Sequence, residues 1–147
     1  MITSSDEPDS LDDAHEIAGL LFAVAEQTRH VFEAAARRVE LTPPQARALL
    51  ELHRPASMRT IAQRLRCDAS NVTGIADRLQ ARGLIRRDEG QQDRRVKTLT
   101  LTPAGERARA DLETAVRSSP AMAGLSHAER ATLRDLLAKV ASPGATP

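Results

Sequence analysis

Residues 57–83, SMRTIAQRLRCDASNVTGIADRLQARG, hold two amphipathic segments too short to stand alone. Ser57 is a helix-capping residue ahead of MRTIAQRLR, in which Ile61, Ala62 and Leu65 point one way. Asp68 is a second cap, ahead of a segment from Ala69 to Arg82. There Val72, Ile75, Ala76 and Leu79 recur at i, i+3, i+4 and i+7. Gly83 follows as a C-terminal stop. Isolated helices of this length are marginal in water, so each needs a packing partner. Cys67 and the cap Asp68 are all that separates them. The spacing therefore predicts two short helices joined by a tight turn.

The flanking sequence extends the pattern. In LTPPQARALLEL (41–52), Thr42 is an N-cap, Pro43 suits the first helical position, and Gln45 completes a capping box. That helix is expected to end near His53, before Arg54-Pro55. After Gly83, residues 84–87 form a short strand candidate and 88–95 read as a polar turn. Val96–Leu101 alternates, with Leu99 and Leu101 on one face. Thr102-Pro103 starts a further helix. Ser126 and Glu129 make a second capping box ahead of the stripe Leu133, Leu136, Leu137 and Val140. Upstream, a long helix runs from about Leu11. Ala14, Ile17, Ala18, Leu21, Val24, Ala25, Thr28, Val31, Phe32, Ala35 and Val39 form its stripe. Leu20 and Phe22 widen that stripe beyond what a small domain covers, and a partner subunit would explain the surplus. The predicted order is four helices, two strands and two helices: mainly α with a small β-hairpin. Residues 1–10 read as a disordered tail and 142–147 as a frayed end.

The length of 147 residues suits one domain. Aromatic residues are 1% of the chain, Phe22 and Phe32, so the core must be aliphatic and a pocket has few rings to stack on a ligand. No apolar run is long enough for a membrane span, MITSSDEPDS does not read as a signal peptide, and one cysteine excludes an internal disulfide. These features favour the cytoplasm. No phosphate-binding glycine loop, nucleophile elbow or paired metalloenzyme histidines are present, which argues against an enzyme; no catalytic residue or cofactor is assigned. The formal net charge of +1 hides an asymmetry. Residues 1–40 hold 3 Lys/Arg and 9 Asp/Glu, a net of −6, whereas residues 41–100 hold 12 and 6, a net of +6. A basic block of this kind suits a polyanion, although a solvated surface would carry it too.

Two short helices followed by a hairpin make a winged helix-turn-helix, whose second helix enters the major groove of double-stranded DNA. The edge opposite the Val72–Leu79 stripe offers Ser70, Asn71, Thr73, Gly74, Asp77 and Arg78. Short hydroxyl and amide side chains suit base edges and phosphates, and Asn pairs bidentately with adenine. At the hairpin tip an arginine can enter the minor groove, drawn by its negative potential. Asp93 and Arg95 have the spacing for the carboxylate to orient the guanidinium.

IAQRLRCDASNVTGIADRLQARGLIRR (61–87) and DRRVKTLTLTPAG (93–105) resemble the MarR family of bacterial transcriptional regulators. The second stretch matches the wing pattern Asp-x-Arg-x-x-x-Leu-x-Leu-Thr-x-x-Gly, and the resemblance covers about residues 12–141. It implies a homodimer, with helices in 11–40 and 103–141 interlocking and the winged lobe in 41–102. It implies occupation of a palindromic promoter site, usually as a repressor, with release by a small lipophilic or phenolic ligand or by cysteine oxidation. Carried over, Ser70, Asn71 and Thr73 would read bases. Arg95, held by Asp93, would enter the minor groove, with Arg78, Arg86, Arg94 and Lys97 assisting. The family's pocket lies between the dimerisation helices and the lobe, where Phe22, His30, Phe32 and Arg47 are candidates. Three departures stand out: Gly74 where relatives carry a basic residue, Arg66 where glycine is common at the turn, and Asp68 in place of a Ser or Thr cap. Arg66 must either accept strain or use a different turn.

Cys67 reads as a core residue rather than a redox sensor. His30 with Glu26 or Glu33 has helical ligand spacing, but two ligands on one helix make no metal site, and none is assigned. The alternatives are a winged-helix protein with a constitutive or protein-contact role and no ligand response, and, further off, an enzyme.

Overall fold

Local capping sets where the helices begin, as a computed structural model of the chain shows. The structure describes residues 11–89 and 96–142. The expected tail, the hairpin tip with Asp93, Arg94 and Arg95, and the last five residues lie outside them. The elements are α1 (Leu11–Arg38), α2 (Pro43–Glu51), β1 (Ala56–Ser57), α3 (Met58–Leu65), α4 (Ala69–Ala81), β2 (Ile85–Glu89), β3 (Lys97–Leu101), α5 (Pro103–Arg117), α6 (Pro120–Ala123) and α7 (His127–Ala141). The Thr42 N–H donates to Gln45 Oε1 at 3.1 Å, and Ser57 Oγ accepts from the Thr60 N–H at 3.1 Å. Ser126 and Glu129 bond reciprocally at the head of α7. Asp68 holds the N-cap backbone of α4, but its side chain makes no cap hydrogen bond.

Three features differ from the sequence-based expectation. A third strand, β1, pairs antiparallel with β3, Ala56 opposite Leu99 and Ser57 opposite Thr98, so the sheet order is β1-β3-β2. Two residues are too few to show a period-2 pattern. The four-residue α6 was equally invisible to periodicity. β2 also reaches Glu89, so the strand takes in residues expected in the turn.

The core lies where α2, α3, α4 and the sheet meet α5 and the end of α1. Leu49 of α2, Ile61 of α3, Val72 and Leu79 of α4, Ile85 of β2 and Leu112 of α5 are its largest fully buried side chains. By contrast, only Ala35 and Ala36 are buried in the 28 residues of α1, and α7 buries none. Ile17, Leu20, Leu21, Phe22 and Val24 of α1 and Leu136, Leu137 and Val140 of α7 stay exposed.

Two turns fix the lobe. Arg66 ends α3 in the left-handed region, φ 53° and ψ 47°, with the Cys67 N–H bonded to Ala62 O at 3.1 Å. It therefore takes the strained option, at roughly 1 kcal/mol, and its Nη2 reaches the Ala141 carbonyl of α7 at 3.3 Å. At the other turn, Gly83 (φ 68°) leads into β2. Thr102 Oγ1 donates to Gly83 O at 2.6 Å, accepts from the Gly105 N–H at 3.1 Å, and the Thr102 N–H donates to Leu84 O at 3.0 Å. The first turn of α5 thus lies directly on the α4–β2 turn. A Cβ on Gly105 would stand 1.9 Å from the Leu84 carbonyl oxygen.

Gly105→Ala is expected to destabilise the protein by about 3 kcal/mol, because backbone must move to admit the methyl group. Gly74→Ala, with no atom within 4 Å of the added carbon, is expected to stabilise it by about 1 kcal/mol. Urea unfolding at fixed protein concentration checks both. Glu129 is held below the ordinary glutamate range by the backbone and side chain of Ser126. A lowered folded-state value means its contribution is present above the ordinary range and lost as pH falls through the lowered one. Far-UV ellipticity should therefore show a smaller acid loss in Glu129→Gln than in the parent.

Candidate nucleic-acid interface

The burial of α4 divides its surface. Val72, Ala76 and Leu79 face the core, and Ile75 is half-buried. Ser70, Asn71, Thr73, Asp77 and Arg78 are exposed. Thr73 Oγ1 donates to Ala69 O at 3.1 Å, which leaves its lone pairs as outward acceptors. Asn71 and Thr73 look to different sides. Asn71 borders a groove of about 490 Å³ with Pro43, Pro44, Arg47, Leu65, Cys67 and Ile75. Thr73 borders a second cleft, of about 630 Å³, with Ser57, Met58, Arg59, Arg87, Val96 and Lys97.

That second cleft is basic and lies between α3, α4 and the hairpin. It brings together Thr73 and Lys97 from the expected set and adds Arg59 and Arg87. Strand alternation places Arg87: in the register Ile85↔Leu101, Arg87↔Leu99, it shares a face with buried Ile85 and Leu99. Arg86 falls on the other face, where Nε donates to Asp88 Oδ2 at 2.9 Å. The Asp88 carboxyl is held below its ordinary range, by Arg86 first and by Thr100 next. Arg87 instead pairs with Asp77 of α4. Arg59 and Lys97 form no ion pair with any described residue. The period-2 pattern of residues 85–89 was a signal for Arg87; Arg59 had none beyond its position in the first turn of α3.

A third groove, about 710 Å³, lies between α1, α2 and α7. Phe32 and Arg47 line it, together with Leu21, Val24, Leu50 and Leu137. Phe22, at 77% exposure, and His30 are not in the lining. His30 Nε2 lies 2.9 Å from Glu26, and Glu33 is engaged by Arg29 at 2.7 Å. Arg29 also holds the Glu26 carboxyl below its ordinary range. Among the described residues, no three of His, Cys, Asp and Glu gather as metal ligands, and no helix is long and apolar enough to cross a membrane. Cys67 is half-buried and packs against the lobe core.

Comparison with known proteins agrees with this geometry. The MarR family model matches residues 41–97. The HTH-type transcriptional regulator TtmR of Methylorubrum extorquens (strain PA1) is 29% identical over 94% of this chain and 71% of its own. A probable transcriptional regulator from Pseudomonas aeruginosa is 32% identical, with 80% of this chain and 93% of that one covered and a TM-score of 0.59. CouR from Rhodococcus jostii RHA1, solved bound to p-coumaroyl-CoA, is 25% identical over 91% of this chain and 97% of its own, with a TM-score of 0.76. Such relatives are regulators and not enzymes. With its winged helix-turn-helix lobe and this kinship, the chain belongs to the MarR family of DNA-binding transcriptional regulators.

Proposed function

We propose that the chain acts in the cytoplasm as a homodimeric repressor that occupies a palindromic promoter site and is released by a small ligand. The observation that carries the reading is the basic cleft, where Arg59, Arg87 and Lys97 stand beside the exposed edge of α4. Cations in such a cleft gain affinity by releasing counterions from the phosphate backbone. Ser70, Asn71 and Thr73 take the base-reading role, and Arg95, oriented by Asp93, takes the minor groove. Arg78, Arg86, Arg94 and Lys97 contact phosphates. Dimerisation is supported by the apolar surface that α1 and α7 leave uncovered in one chain. Ligand release is supported by the groove at Phe32 and Arg47, and by the p-coumaroyl-CoA bound by CouR.

A gel shift with the DNA upstream of its own gene tests the reading, and no retardation at low salt would overturn it. Arg95→Ala should weaken binding by about 1–3 kcal/mol while the dimer persists. Asn71→Ala should cost as much on the preferred site yet little on random sequence; an equal loss on both would make Asn71 a phosphate contact. Sedimentation equilibrium should report a dimer for the parent chain and a monomer for Leu136→Arg.

A further inference from the structure

The Arg87–Asp77 pair sets a carboxylate on the very edge of α4 that the reading above turns toward DNA. Asp77 stands one turn after Thr73, and more than half of its side chain is exposed. An unpaired carboxylate there would repel phosphates. Arg87 reaches it from β2, ten residues on in sequence, with about a quarter of its side chain exposed. The stem of Arg87 follows the buried face of the strand, and its guanidinium is directed at the helix. Arg86, on the other face of β2, also meets a carboxylate, Asp88, but keeps most of its side chain in solvent. Of the three cations lining the cleft, Arg59 and Lys97 remain for phosphate.

We propose that Asp77 limits the electrostatic affinity of this interface: it holds Arg87 against α4 and so withholds one cation from phosphates of any sequence. The proposal rests on the assignment of the cleft as the DNA-binding face. Phosphate contacts add affinity without sequence information, whereas base contacts supply the preference. The hydroxyl and amide groups of Ser70, Asn71 and Thr73 make no bond to Asp77, so their reading of bases does not depend on it. Neutralising Arg87 therefore lowers binding to random and to preferred DNA by a similar factor and lowers the salt dependence of both.

Fluorescence anisotropy with the full chain, on a random duplex and on the preferred duplex across a salt series, tests this. Asp77→Asn should raise affinity for the random duplex roughly tenfold at about 50 mM salt and steepen the slope of log K against log salt by about 0.9. The preferred duplex should gain by a similar factor, so the ratio stays unchanged. Arg87→Gln should weaken both duplexes, because it leaves Asp77 unpaired beside phosphate. The double variant should return random-duplex affinity to near the parent value. An unchanged slope in Asp77→Asn, or a loss on both duplexes, would make the pair a structural tie and overturn the proposal. Arg59→Gln and Lys97→Gln are the reference: each should flatten the slope. If neither does, the cleft is not the DNA face and the proposal falls with that assignment. If both do while Asp77→Asn changes nothing, the proposal alone falls.

Discussion

Thr102 joins the two ends of the hairpin. Its hydroxyl and N–H hold the Gly83–Leu84 turn, and its hydroxyl also caps α5. β2 follows the Gly83–Leu84 turn and β3 precedes Thr102, so this one threonine closes the hairpin at its base. Gly105 completes the closure by allowing backbone to touch backbone at Leu84. The position of the wing relative to α4, and hence the shape of the basic cleft, follows from that closure. So does the direction in which α5 leaves the lobe toward α1.

Much of this was legible because capping is local. Thr42, Ser57 and Ser126 announce helix starts from side chains that bond within three residues, and Gly83 announces a stop that its positive φ requires. The groove wall on α1 was also legible. Leu21, Ala25, Thr28 and Phe32 follow the helical repeat, which is why they share a groove. Phe22 and His30 are pocket candidates through the family resemblance and not through the helical repeat. At about 100° per residue they point some 80° and 160° away from Phe32. What stayed hidden was non-local or too short. β1 is two residues long, and its partner in β3 lies over forty residues away. Asp77 and Arg87 meet only because the α4–β2 turn folds the strand back along the helix.

Charge and apolar surface are segregated along the molecule. The acidic first forty residues lie mostly in α1, which buries little within one chain. The basic middle makes the lobe and its cleft. Arg66 links the basic middle to α7: its backbone forms the turn between α3 and α4, and its side chain reaches the last turn of α7. A cation near a helix C-terminus is favoured by the carbonyl dipoles there. This contact offsets part of the strain that glycine would have avoided.

The contrast between a core completed within one chain and an α7 with nothing buried bears on the order of folding. The core contacts form within one chain, at a rate independent of protein concentration. In the proposed dimer, the front of α1 and α7 gain most of their packing when two chains meet. Assembly would then be a second-order step that follows folding of the lobe, and dilution would loosen the helical ends before it touched the DNA-facing half.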